Sequence, residues 1–470
     1  MNKRMRIFIV SNRLPITAVK GNKLDFKESV GGLVSGLSSY IDSLKGSSLN
    51  YEFRWIGWPG ITISDDQKNV LKLELENINT VPVFLTEEVM EKFYLGFCNK
   101  TIWPLFHYFN NYVSYNGDYW NCYKYVNQIF CDTVLEVVQP GDIIWIHDYH
   151  LMLLPKLLRD KLDKKCKISF FLHIPFPFFE IFTSLPKAWR RDILEGMLGS
   201  DLIGFHTGTY VKYFLDCVYK ILGHGHYMGN ITLEDRVVNI DAFPMGIQFD
   251  KFNKTDIKKI EEFKTLSDYK VILSIDRLDY TKGLANKLSC YELFLEKHKE
   301  LHKKLIFVLI VVPSRIGVDH YEMNKKVIDE TVGRINGKYG NISWTPILYQ
   351  FKFLPFEELL SLYRSSDVAL ITPLRDGMNL IAKEYVASRK DKTGVLILSE
   401  MAGVSEELNE AIIVNPNDKE EIERALITAL EMDVTEQKRR NKIMQKHLQN
   451  YDVSVWANSF IDRLLLSDKK

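Results

Sequence analysis

The sequence predicts an α/β protein built from two doubly wound domains, each a mostly parallel sheet with helices on both faces. Three observations predict it. Short apolar runs alternate with helical patterns along the chain, the signature of successive βαβ units. The residues that follow those runs are rich in Arg, Asp and His, where a doubly wound sheet places its ligands. The chain has 470 residues, more than one hydrophobic core usually serves, so two domains of roughly 200 residues are expected.

In chain order, the first strand-like runs are Arg6 to Val10, Ile143 to His147, Ile168 to His173 and Asp201 to His206. Gly31-Gly32 precedes an apolar periodic stretch, Leu33 to Leu44, that reads as a helix. Pro and Gly interrupt the pattern within Phe243 to Phe252, before a charged helical stretch from Thr255. That break divides the chain into domains 1–245 and 246–470. The second half repeats the alternation with Val271 to Ile275, Leu305 to Val312, Val368 to Thr372, Val395 to Leu398 and Ala411 to Val414.

Composition narrows the function classes. Apolar residues make up 46% and charged residues 26%, as in an ordinary globular protein. With 61 basic against 60 acidic side chains, neither nucleic acid nor an anionic membrane is expected as a partner. The six cysteines show no CxxC pair or metal-ligand spacing and read as buried free thiols. The apolar run after the basic start, Ile7 to Val10, is too short for a signal peptide or a membrane span. A cytoplasmic location is the expectation.

Four segments carry chemistry. Gly31-Gly32 places bare backbone amides at a helix start, where phosphate binds readily. Arg277 and Lys282 lie in the loop after a buried strand, and Gly283 opens the next helix. A guanidinium with directed hydrogen bonds and a compact ammonium together suit a diphosphate. Asp376-Gly-Met-Asn-Leu380 leads into Ile381-Ala-Lys-Glu384, so a helix N-terminus favours an anion there, and the Glu384 carboxylate suits the two hydroxyls of a ribose. No D-x-D motif occurs, so no metal site is expected and protein cations must neutralise the phosphates. Spacing alone does not gather Arg13, Tyr94, Trp103 and Arg315 into one pocket. The aromatics near two of them, Phe93, Phe97, Phe106 and Tyr108, read as core.

Taken together, the segments resemble the trehalose-6-phosphate synthases, retaining glycosyltransferases of the GT-B fold. The resemblance rests on Val10-Ser-Asn-Arg-Leu-Pro15, Gly57-Trp-Pro-Gly60, Trp103-Pro-Leu-Phe-His-Tyr108, Trp145-Ile-His-Asp-Tyr-His-Leu151, His173-Ile-Pro-Phe-Pro177, Arg277-Leu-Asp-Tyr-Thr-Lys-Gly283, Gly333-Arg-Ile-Asn-Gly-Lys-Tyr-Gly340 and Thr372-Pro-Leu-Arg-Asp-Gly-Met-Asn-Leu380. It implies two Rossmann-like domains facing a central cleft, with the last helix, about 451–470, crossing back to the N-terminal domain. It implies glucosyl transfer from UDP-glucose to glucose 6-phosphate, giving trehalose 6-phosphate without a cofactor. Donor contacts would come from Gly31, Gly32, Arg277, Lys282, Asp376, Leu380, Ile381, Ala382, Lys383 and Glu384. Acceptor contacts would come from Arg13, Tyr94, Trp103, Asp148 and Arg315, and Arg277, Lys282, Asp148 and His173 would carry catalysis.

Phe178-Phe179 and Gly208-Thr209 depart from the family pattern near the acceptor. The resemblance also implies a separate phosphatase for the product, and a hinge within Phe243 to Phe252. ADP-glucose and GDP-glucose stay open as donors, and homo-oligomerisation stays open. A glucosylglycerol-phosphate synthase and an inactive sugar-phosphate sensor are the competing readings. Arg13, Tyr94, Trp103 and Arg315 together argue against the first, and Arg277, Lys282, Asp376 and Glu384 together against the second.

Overall fold

The computed structural model describes residues 5–19, 25–28, 36–38, 40–41, 51–162, 165–257, 266–314 and 319–466. The chain divides into two compact units, Met1–Met245 with Val453–Lys470, and Gly246–Asp452.

The first unit is built on an eight-stranded sheet. Its strands are β1 (Met5–Arg13), β4 (Tyr51–Trp58), β5 (Thr80–Pro82), β6 (Ile143–His147), β7 (Lys167–Phe171), β8 (Leu202–Phe205), β9 (Asn230–Thr232) and β10 (Val237–Ala242), ordered β5-β4-β1-β6-β7-β8-β10-β9. All neighbours run parallel except β9 against β10. β2 (Ile16–Val19) and β3 (Asp25–Glu28) form a separate antiparallel ribbon. Strands covered on both faces must be apolar throughout, and Ile7 to Val10 and Ile144 to Ile146 are fully buried.

The helix Val453–Leu466 belongs to this unit and closes one face of the sheet. Phe460 stacks on Trp145 with ring centroids 4.9 Å apart, and the Trp456 indole N–H donates to the Phe243 carbonyl at 3.2 Å. Gly204 makes that approach possible, because a Cβ there would stand 2.7 Å from rings of both Phe171 and Phe460.

The second unit has six parallel strands: β11 (Lys270–Arg277), β12 (Leu305–Val312), β13 (Ile347–Phe351), β14 (Val368–Ile371), β15 (Val395–Ser399) and β16 (Ile412–Val414). Their order is β13-β12-β11-β14-β15-β16. Counted from the first strand of this sheet, it is the dinucleotide-binding order 3-2-1-4-5-6, whose direction reverses between β11 and β14. The strands β5-β4-β1-β6-β7-β8 of the first unit repeat that order, with the reversal between β1 and β6.

The strand expectations differ from the structure chiefly at the sheet margins. β13 was not expected: it is an edge strand with Leu348, Gln350 and Phe351 exposed, so it lacks a continuous apolar run. β4 was missed because Glu52 and Arg54 interrupt it. A short helix, Phe249–Lys254, ends before Thr255, whose hydroxyl donates to the Lys251 carbonyl at 2.6 Å; most of the charged helix expected from Thr255 lies outside the described residues.

Candidate functional site

Both reversal points carry polar side chains from the strand ends. In the second unit Arg277 closes β11 and is exposed. The chain then folds into a short turn in which the Asp279 side chain accepts the Thr281 N–H at 3.0 Å. Gly283 follows at φ +63, a conformation L side chains rarely adopt. This turn delivers Lys282, only 8% exposed, onto the Asp376 carboxylate in a short ion pair.

Asp376 lies beyond the end of β14, across the reversal point. Its Oδ2 also accepts the Asn379 amide at 3.0 Å. Asn379 takes a left-handed φ of 77, and its Oδ1 caps the helix Leu380–Ser388 by accepting the Ala382 N–H at 3.3 Å. The start of that helix, Leu380 to Ala382, thus lies directly after the Asp376–Lys282 pair.

Deeper on the same helix, Glu384 and Lys383 have separate environments. Burial raises the Glu384 carboxyl above its usual range, while the Tyr363 hydroxyl, donating to Oε2 at 2.9 Å, and Lys251 oppose that shift. The Lys383 side chain is fully buried and donates to Glu407 at 2.6 Å, and His447 meets the other Glu407 oxygen at 3.1 Å. Burial pushes the Glu407 carboxyl up, but Lys383 and His447 together bring it below the ordinary value. Lys383 therefore spends its charge inside the fold, and only its main chain is available to a ligand.

In the first unit Arg13 ends β1 and is exposed, with its guanidinium 5.0 Å from the centre of the Trp58 ring at the end of β4. Asp148 follows β6 directly across the reversal point, at φ 74 and ψ 168. That region is essentially a glycine preserve, and such strain persists at functional sites when surroundings enforce it. Here the Asp148 N–H donates to the Phe171 carbonyl at 2.8 Å, its carbonyl accepts from Leu151 at 3.1 Å, and its Oδ1 accepts the His173 N–H at 3.3 Å.

The loop after β6 also gathers the two aromatic residues. Tyr94 stacks on His150 at 5.8 Å, His150 packs on Tyr149 at 4.0 Å, and Tyr149 lies 5.7 Å from Trp103. Tyr94 sits in a π-helix, Glu91–Ile102, a form that is rare and concentrated at functional sites. Asn99 holds that segment by donating to the Tyr94 carbonyl at 2.7 Å and accepting the Tyr149 hydroxyl at 3.2 Å. Trp103 is 5% exposed, and Phe93, Phe97 and Phe106 are fully buried. Tyr108 is half-buried and its hydroxyl accepts the Phe178 N–H at 3.4 Å. Gly31, Gly32 and Arg315 lie outside the described residues.

His173 was expected in catalysis, but its neighbours His147 and His206 were given no role. Three adjacent strands, β6, β7 and β8, lead at their carboxyl ends to His147, His173 and His206. Ring centroids are 5.3 Å apart for both His147–His173 and His173–His206. Asn379, Tyr363 and Asn99 were likewise unassigned: Asn379 caps its helix through neighbours only three residues away, a signal the sequence did offer, whereas Tyr363 meets Glu384 across 21 residues and Asn99 sits in a π-helix. Among the described residues, no group of three or more His, Cys, Asp or Glu is placed to hold a metal ion. None of the helices in those residues is long and apolar enough to cross a membrane.

The model of glycosyltransferase family 20 matches residues 5–465. The chain belongs to glycosyltransferase family 20. Within this family, it is 46% identical over 469 residues to the bifunctional trehalose-6-phosphate synthase/phosphatase of Thermoproteus tenax, covering 98% of this chain and 64% of that protein. The chain thus spans less than two thirds of that relative. It is 41% identical to the UDP-forming α,α-trehalose-phosphate synthase of Pichia angusta, covering 97% of this chain and 98% of the relative. The solved UDP-forming α,α-trehalose-phosphate synthase of Burkholderia xenovorans, in complex with glucose-6-phosphate, superposes with a TM-score of 0.86 at 32% identity, covering 98% of this family-20 chain and 100% of that one. The two Rossmann-like sheets are the GT-B pair that the sequence led us to expect.

Proposed function

We propose that the chain is a retaining glucosyltransferase that moves glucose from UDP-glucose to glucose 6-phosphate, releasing UDP and α,α-trehalose 6-phosphate. One observation carries the reading: Arg277 and Lys282 stand where the strand order reverses in the second unit, followed across that point by Asp376 and a helix N-terminus. That is where a doubly wound sheet holds a nucleotide, and two cations there neutralise a diphosphate. The relatives' names, UDP-forming trehalose-phosphate synthases, support the same donor and product.

In this reading the diphosphate lies against Arg277, Lys282, Gly31, Gly32 and the amides of Leu380, Ile381 and Ala382. Lys383 contributes its main chain, Glu384 takes the ribose hydroxyls, and Asp376 shares Lys282 with the incoming phosphate. Glucose 6-phosphate is held through its phosphate by Arg13, Tyr94 and Arg315, with Trp103 behind the sugar and Asp148 accepting a hydroxyl. The anomeric hydroxyl of the acceptor attacks the donor's anomeric carbon on the face the diphosphate leaves. Its proton passes to the departing phosphate oxygen as the bond to UDP breaks, which preserves the α configuration. Positioning lowers the entropic barrier, and Arg277 and Lys282 stabilise the charge that grows on the diphosphate.

The donor and acceptor roles, metal-independent turnover, a separate phosphatase step and a cytoplasmic location complete the reading. Six free cysteines support the location. The test is product identification with purified protein, glucose 6-phosphate and a panel of UDP-, ADP- and GDP-glucose. Formation of trehalose 6-phosphate and UDP is expected. Transfer to glycerol 3-phosphate instead, or binding without turnover, overturns it.

A further inference from the structure

His147, His173 and His206 form a row of rings at the carboxyl ends of three adjacent strands, and of the three only His173 has an expected role, which the family resemblance implies: touching the donor glucose near the bond that breaks. His147 Nδ1 and His173 Nε2 are 3.0 Å apart, so one proton lies between them. Burial pushes His147 down to about 3 and His173 well below its ordinary value, the latter with help from His147 and His206. Both rings are therefore neutral near pH 7 and each carries a single proton.

The far side of His147 decides which ring donates. Its Nε2 is buried and has no hydrogen-bond partner among the described residues. The ring beside it, Trp145 at 4.8 Å, offers only an indole N–H that itself lacks an acceptor among the described residues. Were His173 to donate, the one proton of His147 would sit on Nε2, a buried N–H with nothing to receive it. Orphaned buried N–H groups are rare and costly. The proton between the rings therefore belongs to His147 Nδ1, and His173 accepts it at Nε2. The remaining proton of His173 is on Nδ1, and because His173 is only half-buried and Nδ1 is not one of the buried polar atoms left without a partner, that N–H, unlike one on His147 Nε2, is open to solvent or substrate. His206 is oriented independently, because its Nδ1 accepts the Met245 N–H at 3.4 Å.

We propose that His147 is a positioning residue that fixes His173 as its Nδ1–H tautomer, so that His173 presents a hydrogen-bond donor to the sugar it meets. The inference rests on the glucosyl-transfer reading for what His173 meets, but the tautomer exists without substrate. A neutral N–H can hold a sugar oxygen without setting a full positive charge beside an anomeric carbon that itself becomes positive as the diphosphate leaves.

The experiment has two arms. Ring-nitrogen NMR of the ligand-free full chain, with ¹⁵N-labelled histidine and the His173 signals assigned by their loss in His173→Gln, reads the tautomer directly. Wild type should show Nδ1–H at His173, and so should His147→Asn, whose amide N–H can replace Nδ1–H. His147→Phe should give mixed tautomers and lower kcat about five- to tenfold, the effect of losing one oriented hydrogen bond, with the acceptor KM unchanged. An Nε2–H tautomer in wild type overturns the proposal, as does wild-type turnover in His147→Phe. If the tautomer is Nδ1–H but no glucosyl transfer occurs, the proposed reaction fails and the assignment of the proton stands.

Discussion

Arg277→Ala and Lys282→Ala test whether the two cations act on the leaving diphosphate, and the structure separates their effects on stability. Arg277 is exposed at a strand end, so its loss should change folding stability by no more than about 0.5 kcal/mol. Lys282 is different. Its ammonium is paired with Asp376, and the two side chains are 10% and 16% exposed. Removing it takes the cation away from a largely buried carboxylate, which the Asn379 amide also contacts at 3.0 Å. Losing the counter-charge of a buried carboxylate costs about 1–3 kcal/mol. At roughly 2–4 °C per kcal/mol for a domain of this size, a loss of about 2 kcal/mol lowers Tm by about 4–8 °C. Lys282→Ala with Asp376→Asn should recover much of that loss, because the uncharged amide needs no counter-ion.

Turnover should behave otherwise. Charge on the diphosphate rises as the glycosidic bond breaks, so both single variants should lose kcat on the order of a hundredfold or more. The double variant should stay slow although stable. The assays are UDP release at saturating substrates and thermal unfolding without ligand. If kcat at saturation stays near wild type and only the donor KM rises, the cations anchor the nucleotide and another group stabilises the leaving phosphate. If Lys282→Ala is as stable as Arg277→Ala, the ion pair has been misjudged.

Further outcomes follow from other parts of the structure. Arg13→Ala should raise the KM for glucose 6-phosphate by roughly ten- to a hundredfold, the value of a charge-assisted bond, with little effect on the donor KM. Equal losses for both substrates count against the assignment. Asp148→Gly should be more stable than Asp148→Ala, since only glycine relieves the strain at φ 74, while both lose turnover; the reverse order of Tm refutes the backbone argument. Tyr363→Phe removes a hydrogen bond that opposes the upward shift of Glu384, so the pH below which donor affinity falls should move upward. At pH values between the ordinary carboxylate value and the raised one, the native state binds a proton on Glu384 more readily than the unfolded chain does, so this group's contribution to stability falls as pH rises through that window. A donor KM–pH profile unchanged in Tyr363→Phe contradicts this. Turnover should survive EDTA, and loss in EDTA that Mg²⁺ restores refutes a metal-free diphosphate site.

The sequence was most informative where strands are buried on both faces. Ile143 to His147 and Leu305 to Val312 were read with the bounds the structure has, because parallel strands under helices leave no polar gap. β13 and β4 were lost for the opposite reason, since edge exposure and interspersed charges break the run. In the site, Arg277, Lys282, Asp376 and Asp148 were legible because strand ends are where such a fold binds ligands. The sharing of Lys282 with Asp376, the turning inward of Lys383 and the row of three histidines were not. Each joins segments whose adjacency only sheet order determines. The π-helix that carries Tyr94 was equally invisible, because its aromatic spacing reads as an ordinary amphipathic helix.

The position of Trp456 and Phe460 has a consequence for how this chain is made. The face of Trp145 and Phe171 that they cover is synthesised early, whereas its cover follows the whole of Gly246–Asp452. On the ribosome, the first sheet must therefore wait with that apolar face open while the second unit emerges and folds. A nascent chain stalled before Val453 should recruit holding chaperones, and truncation at residue 452 should drive aggregation even though no proposed substrate-binding residue is lost. The second unit, continuous from Gly246 to Asp452, incurs no such delay, so it has the better prospect of being produced alone as a folded fragment.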